Sequence, residues 1–139
     1  MTNEHDPLAG QRPAPVKLNF SAPFWAGAEQ RKLMLQFCTE SEKYQFYPRP
    51  VSLYTGSRKL EWREATGKGR VYSFTVSYKA PPPFKIKDAY VVATVELEEG
   101  VRILTNIVNC DPATVKIDMP VRLSWVKAGE ENYPVFEPA

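Results

Sequence analysis

Alternation of apolar and polar residues begins near residue 33 and predicts a mainly β protein. Leu33, Leu35 and Phe37 fall on one face of an extended segment. After a turn that follows Cys38, residues 44–47 are predicted as the return strand, because the prolines beyond them break the pattern. The two segments together predict a small hairpin-like unit.

Five further strands are predicted downstream, at residues 60–66, 70–79, 90–97, 101–108 and 121–126. Residues 66–69 and 98–100 carry the glycines typical of hairpin connections. Short strands at this spacing predict a small five-stranded barrel. The proline-rich loop at 80–84 is either a rigid spacer or a partner contact.

The first 18 residues are polar, rich in proline and glycine and without periodicity, which predicts a disordered leader. Ser21 is placed to cap a short helix, with Pro23 in its first turn. Phe24 and Trp25 lie on that helix, which is too short to be stable alone. Its aromatic side chains must therefore pack on this domain or on a partner.

The 139 residues allow one compact domain, or one small domain with an appendage. The formal charge of +2 is spread among acids, so the basic stripe typical of nucleic-acid binding is missing from the sequence. No stretch approaches the roughly 18 uninterrupted apolar residues of a membrane span, and no signal peptide is evident. We therefore expect a cytoplasmic protein whose cysteines, Cys38 and Cys110, are reduced thiols.

The segment from Cys38 to Gly56 has the spacing of a zinc site with most of its ligands replaced. Ser41 follows Cys38 by three positions, and Ser52 and Thr55 have the same separation further on. Cysteine at all four positions would give the two knuckles of a structural zinc site. One thiolate among hydroxyls does not supply the donors that tetrahedral zinc takes, so we expect no zinc.

A larger set of short motifs resembles, in order and spacing, a family of small two-part proteins. These motifs are Pro23-Phe24-Trp25, Leu35-Gln36-Phe37-Cys38, Phe46-Tyr47-Pro48-Arg49-Pro50, Gly56-Ser57, Leu60-Glu61-Trp62, residues 67–75, Tyr90-Val91-Val92-Ala93, Leu104-Thr105-Asn106 and Cys110-Asp111-Pro112. Members of that family join a rubredoxin-like zinc ribbon to an oligonucleotide/oligosaccharide-binding (OB) fold, and they are linked to acyl-CoA metabolism.

The resemblance implies a fold, a division of the chain and a role. It implies a disordered leader over residues 1–18, a helix and zinc-less ribbon over 19–58, and an OB fold over 59–139. Members look like accessory subunits of thiolase-like enzymes that act on CoA thioesters. The family's ligand positions fall on Cys38, Ser41, Ser52 and Thr55, of which three depart from its pattern. A non-catalytic subunit that docks on such an enzyme, and that contributes to acyl-CoA binding, is therefore expected.

Five residues are the candidates for contact with a ligand or partner. Phe24 and Trp25 suit an interface anchor, with packing on the ribbon as the alternative. Arg49 offers a planar fork of donors to a phosphate or carboxylate, and a structural arginine is the alternative. Tyr72 and Phe74 could stack on a base or adenine, but their alternation within strand 70–79 favours the barrel core.

Catalysis by this chain is not expected. His5 is the single histidine and lies in the leader, so a histidine-based mechanism has no partner in the folded region. Cys110 lacks an evident activating base and is expected to be a small buried apolar residue. Two other functions remain open: a free-standing acyl-CoA-binding protein and, with less support, a single-stranded nucleic-acid binder.

Overall fold

The computed structural model describes residues 6–139, which contain one short α-helix and eight β-strands. The elements are α1 (Ala22–Glu29), β1 (Met34–Cys38), β2 (Lys43–Gln45), β3 (Leu60–Glu64), β4 (Lys68–Ser77), β5 (Tyr90–Leu97), β6 (Arg102–Ile107), β7 (Pro120–Ala128) and β8 (Glu131–Pro138). The predicted fold class, mainly β with a short N-terminal helix and a five-stranded C-terminal barrel, is confirmed. No helix within residues 6–139 has the length and apolarity to cross a membrane.

Three strands form the ribbon, a small sheet in the order β2-β1-β3. In this sheet β1 pairs antiparallel with β2 through Gln36 and Gln45, and with β3 through Cys38 and Leu60. The sequence analysis assigned residues 60–66 to the barrel, and this assignment is wrong. Because β3 pairs along the whole of β1, a domain boundary at residue 59 cuts through the ribbon sheet.

The barrel closes in the order β4-β5-β6-β8-β7, which is the strand order of an OB fold. Its fifth strand is β8, which the apolar alternation did not reveal. Pro134 and Pro138 lie within β8, and residues 134–137 are buried in succession instead of at every second position. Proline is normally taken as a sign that a strand has ended, so β8 was not predicted. The predicted number of barrel strands is right, but residues 60–66 were counted in place of β8.

The pairing of β4 with β5 contains a register shift between Val71 and Ser73. Val71 is fully buried, whereas Phe74 and Val76 pack against the core from partly exposed positions. Tyr72 lies at the shift and is 48% exposed. The sequence analysis placed Tyr72 on the same core-facing side as Phe74, and this is wrong at Tyr72, because an irregularity in one strand breaks strict alternation.

The ribbon, the helix and the barrel share one hydrophobic core. Leu33 and Leu35 belong to the same buried cluster as Val71 and Val95 of the barrel, and Phe24 of α1 joins them. The side-chain amide of Asn132 in β8 donates to the backbone carbonyl of Ala28, 2.9 Å away, which fixes the end of the helix against the barrel. The ribbon is therefore held at a defined position on the barrel, which matters for the surface described below.

Residues 6–18, here called the strap, lie against the barrel, whereas the sequence analysis expected a disordered leader over residues 1–18. The contacts of the strap are the Arg12 to Asp6 ion pair at 2.9 Å, Arg12 Nη1 to Asn106 Oδ1 at 2.7 Å, Gly129 N to Arg12 O at 3.1 Å, and Lys17 to Glu131 at 2.7 Å. Leu8 is buried. Residues 6–18 are therefore ordered, and the prediction of disorder is wrong for them. Residues 1–5, including His5, lie outside the described residues.

Candidate functional site

The structure brings the four expected ligand positions of the ribbon together around the sulfur of Cys38. The Ser52 hydroxyl donates to Cys38 Sγ at 3.1 Å, and the backbone amide of Ser41 donates to it at 3.4 Å. Thr55 Oγ1 lies 3.9 Å from the same sulfur. Ser41 Oγ is buried and makes no hydrogen bond within residues 6–139, so its proton is free to turn towards the sulfur.

Ser52 organises the second knuckle through its hydroxyl and its backbone. Its Oγ accepts hydrogen bonds from the amides of Tyr54 and Thr55, at 3.1 and 3.2 Å. Its own amide donates to the carbonyl of Ser57, and its carbonyl accepts from Gly56. The turn over residues 52–57 is therefore closed by hydrogen bonds between its own residues.

The donor set around Cys38 does not fit zinc. Tetrahedral protein sites for zinc use thiolates, imidazoles or carboxylates, whereas three of the four positions here are neutral hydroxyls. Within residues 6–139 no three histidine, cysteine, aspartate or glutamate residues lie close enough to hold a metal ion. That zinc is absent from the protein itself stays a prediction.

Two buried glutamines support the same loop from the neighbouring strands. Gln45 Nε2 donates to Gln36 Oε1 at 2.8 Å and to the Val51 carbonyl at 3.2 Å, while Gln45 Oε1 accepts from the Leu53 amide at 2.7 Å. Gln36 binds both the amide and the carbonyl of Arg49, each at 2.8 Å. Gln36, Gln45 and Cys38 thus form a polar interior beneath the loop of residues 48–57. The sequence analysis missed the two glutamines.

Restoring thiolates should restore a metal site. In a zinc site with Zn–S bonds of about 2.3 Å, tetrahedral sulfurs lie roughly 3.8 Å apart, close to the distance between Cys38 Sγ and Thr55 Oγ1. We expect the triple variant S41C/S52C/T55C to bind one zinc ion per chain. Because the ribbon is already folded, stabilisation should reach about 4 kcal/mol at a zinc concentration of 1,000 Kd. Metal analysis after gel filtration, followed by melting with and without chelator, measures both.

Ser41→Cys alone is the matched control, since it provides two of the four thiolates and should not retain zinc through gel filtration. A triple variant that folds but holds no zinc would contradict the geometry assigned to these four positions.

The hydrogen bonds around Cys38 also predict a pH dependence of stability. The Ser41 and Ser52 hydroxyls and the Ser41 amide favour the thiolate and lower the pKa of Cys38 from 9.0 to about 6. A folded pKa below the unfolded one adds stability that is complete above pH 9 and is lost as the pH falls through 6. The free energy of unfolding should therefore rise between these two pH values.

Urea unfolding of the wild type and of Cys38→Ser across this pH range tests the prediction, because the variant should lose the rise. Cys110→Ser is the control: burial raises the pKa of Cys110, so its removal cannot flatten a rise with pH. Equal slopes for the wild type and Cys38→Ser would contradict the assignment.

The two helix aromatics differ in how deeply they are buried. Phe24 is 6% exposed and packs edge-on against Trp25, with ring centroids 4.8 Å apart, and against Phe46 of the ribbon at 5.9 Å. Trp25 is half-buried and lies 6.4 Å from Tyr133 of β8. Phe24 is thus a core residue that connects the helix to the ribbon, and Trp25 is the more exposed of the two; both line the groove described below.

The remaining sequence candidates lie apart from one another. Arg49 is exposed on the ribbon loop, with its backbone fixed by Gln36. Tyr72 lies on the outside of the barrel, where the Arg102 guanidinium sits 3.7 Å from the centre of its ring. Phe74 packs against the core. The structure therefore does not gather Tyr72 and Phe74 into a stacking platform.

An exposed apolar surface lies where the strap, the ribbon and the barrel meet. Its members, here called the junction surface, are Val16 (85% exposed), Leu18 (51%), Phe20 (38%), Tyr47 (50%) and Leu104 (56%). Val16, Leu18 and Phe20 lie in one short stretch, whereas Tyr47 and Leu104 come from distant parts of the chain, so the sequence alone did not reveal the cluster. The Tyr47 hydroxyl accepts from the Leu104 amide at 3.2 Å, which fixes the ribbon side of the surface to β6.

A groove of about 280 Å³ runs through the junction surface. Its floor includes Trp25, Phe46 and Tyr133, and its sides include the five junction residues. An aromatic groove ringed by exposed apolar side chains can accept an apolar anchor from another molecule. The groove is the second feature of this site that the sequence analysis missed.

Comparisons with known proteins agree with this architecture. A family profile described as "ChsH2, C-terminal OB-fold domain" matches residues 62–126. A probable enoyl-CoA hydratase alpha subunit of Thermomonospora curvata is 41% identical over 130 residues, which are 92% of this chain and 40% of that protein. A DUF35 domain-containing scaffold protein of Methanothermobacter thermautotrophicus is 44% identical over 74 residues, which are 53% of this chain and 56% of that protein. The chain thus spans less than two thirds of the length of both curated relatives.

One solved structure matches over nearly its whole length. A chain described as "Ltp2-ChsH2(DUF35) aldolase" has a TM-score of 0.80 and 38% identity, and the match covers 90% of this chain and 98% of that one. The match includes the ribbon as well as the barrel, since it extends far beyond residues 62–126. The chain therefore belongs to the DUF35 family, and its barrel is of the ChsH2 C-terminal OB-fold type.

Proposed function

We propose that this chain is a non-catalytic accessory subunit that docks, through the junction surface, on an enzyme of the thiolase superfamily that acts on CoA thioesters. The observation that carries the proposal is the junction surface itself, an apolar surface built by the strap, the ribbon and the barrel together. The names of the relatives supply the class of partner, because they include a hydratase subunit, a scaffold protein and a structure described as an aldolase.

The junction surface has the composition of an interface core. None of its five side chains is charged, and two of them are aromatic. The cores of protein interfaces are depleted in charged residues and enriched in aromatic ones. The nearest ion pair of the strap, between Lys17 and Glu131, is partly exposed, so it fits the polar rim of such an interface. This arrangement supports docking of a second protein.

The thiols of the chain favour a supporting role over catalysis. Cys38 is buried, so its thiolate is out of reach of a substrate. Burial raises the pKa of Cys110, which makes it a poor nucleophile at neutral pH. Both cysteines are free thiols, which suits the cytoplasmic location that forms part of the proposal.

Capture of the tagged chain from its own cells tests the proposal. Mass spectrometry of the retained proteins should identify an enzyme that acts on CoA thioesters, in a fixed ratio to the bait. A bait that retains only unrelated proteins, or nothing at moderate salt, would contradict the accessory-subunit role.

A free-standing acyl-CoA-binding protein is the second candidate. One observation favours it: the exposed Arg49 follows Pro48, a residue of the groove, so a phosphate at Arg49 could lie beside an apolar chain in the groove. Calorimetric titration of the purified chain with CoA thioesters of short and long acyl chains separates the candidates. Saturable heat that Arg49→Gln reduces would favour this candidate, and no heat at either length would exclude it.

Nucleic-acid binding gains no support from the structure. In other OB folds the face formed by the second and third barrel strands carries the nucleic acid; these strands are β5 and β6 here. Arg12 of the strap lies on this face and binds Asn106 of β6. Tyr72, a candidate stacking residue, is already covered by Arg102. Direct contact with a base would require the Arg12–Asn106 hydrogen bond and the Arg102–Tyr72 contact to break.

A further inference from the structure

A second cleft lies between the strap and the outer face of β5 and β6. Its volume is about 430 Å³, within the range of roughly 300–1,000 Å³ typical of small-molecule sites. Apolar groups form most of its wall, including Leu8 of the strap, Phe84 of the proline-rich loop and Val92 of β5. We call it the strap cleft. It adjoins the junction groove and shares Pro15, Leu104 and Tyr133 with it, but its walls need no partner chain.

The main polar group of the strap cleft is Arg12, whose side chain is 9% exposed. Its Nη2 donates to Asp6 at 2.9 Å and its Nη1 to Asn106 at 2.7 Å. Its Nε is buried and has no acceptor among residues 6–139. A buried donor without an acceptor costs free energy, which a suitable ligand atom would recover.

The charge balance around Arg12 selects the kind of acceptor. The Asp6 carboxylate, 5% exposed, already neutralises the guanidinium, so an anionic ligand would be repelled by Asp6 as it approached. Both polar atoms of the Asn106 side chain already have a partner, because Oδ1 accepts from Arg12 and Nδ2 donates to the Val91 carbonyl at 2.8 Å. A neutral carbonyl oxygen is the group that satisfies one N–H donor without adding charge.

The walls of the strap cleft are fixed by hydrogen bonds that need no ligand. Gln11 binds the backbone of Lys85 through both its amide nitrogen and its amide oxygen, which ties the proline-rich loop to the strap. The Gly129 amide donates to the carbonyl of Arg12 at 3.1 Å and holds the strap on the β7–β8 turn. A preformed cleft loses little conformational entropy when a ligand enters.

We propose that the strap cleft binds a neutral, largely apolar small molecule that carries a carbonyl oxygen, and that this oxygen accepts a hydrogen bond from Arg12 Nε. The apolar body of the ligand lies against Phe84 and Val92. The strap cleft is thus a ligand site beside the junction groove, and Leu8, Arg12 and Val92 line the cleft but not the groove.

Fluorescence titration of the full chain with prodan, a neutral naphthalene dye with a ketone, tests the proposal. We expect saturable one-to-one binding with a blue-shifted emission. Val92→Trp, which fills the cleft, should weaken binding at least tenfold, and thermal melting will show whether this variant is folded. Phe84→Ala, on a loop where folding is least at risk, should weaken binding severalfold. Leu18→Glu, which changes the junction groove alone, should leave binding unchanged.

A second dye separates the arginine contact from simple apolar burial. The analogue of prodan that lacks the ketone should bind about tenfold more weakly, the usual effect of one lost hydrogen bond to a charged group. Equal affinities for both dyes would overturn the role of Arg12. No saturable prodan binding, or binding that Phe84→Ala and folded Val92→Trp leave intact, would overturn the site. Neither result bears on partner capture, so the two proposals fail independently.

Discussion

Replacement of Gln45 by alanine should lower the free energy of unfolding by about 3 kcal/mol, because three groups each lose a hydrogen bond at once. Gln45 is 1% exposed, and its amide joins Gln36, the Val51 carbonyl and the Leu53 amide. We expect the ribbon to hold no zinc, and its loop then depends on such bonds, so this side chain should be among the most sensitive in the chain.

Urea unfolding of the wild type and Gln45→Ala measures the effect. Gln30→Ala is the matched control, since Gln30 is exposed at the end of α1 and its loss should change stability by less than about 0.5 kcal/mol. Gln36→Ala should have an effect similar to that of Gln45→Ala, and the double variant should lose less than the sum, because the two amides share a bond. A loss below about 1 kcal/mol for Gln45→Ala would contradict the support assigned to it.

Leu18→Glu should weaken binding to the captured enzyme by at least thirtyfold while the chain keeps its melting temperature. A charge in the apolar core of an interface costs more than about 2 kcal/mol, the size of a hot-spot effect. Leu18 is 51% exposed in the free chain, so a glutamate there stays solvated until the partner docks. Surface plasmon resonance with immobilised enzyme measures the affinity.

Ile117→Glu controls for the added charge. Ile117 is 56% exposed, as much as Leu104, but it does not line the junction groove. The Ile117→Glu variant should therefore bind the captured enzyme with the affinity of the wild type. Equal affinities for Leu18→Glu and the wild type would place the interface elsewhere on the chain.

The sequence predicted what depends on local pattern and missed what depends on distant residues meeting. The alternation in β5 leaves Val91, Ala93, Val95 and Leu97 buried, as a half-buried strand requires. The spacing of Cys38, Ser41, Ser52 and Thr55 identified four positions that do meet at one sulfur. Both signals are repeats or spacings that can be read along the chain.

Three features had no such signal. Gln36 lies in an alternating strand at a position expected to face water, and it is buried only because residues 48–57 fold over it. Tyr72 leaves the core face because of one register shift in β4. The strap binds through an arginine whose partner, Asn106, is 94 residues away. In each case tertiary contact decides the outcome, and local propensity does not report it.

The most direct test of the accessory-subunit account is the turnover of a CoA thioester by three samples: the purified chain, the enzyme that copurifies with it, and the two recombined. The account predicts no turnover by the chain alone, low turnover or poor solubility of the enzyme alone, and faster turnover by a mixture that sediments as one complex. Turnover by the chain alone, or a mixture that behaves as the enzyme does by itself and sediments as two species, would contradict it.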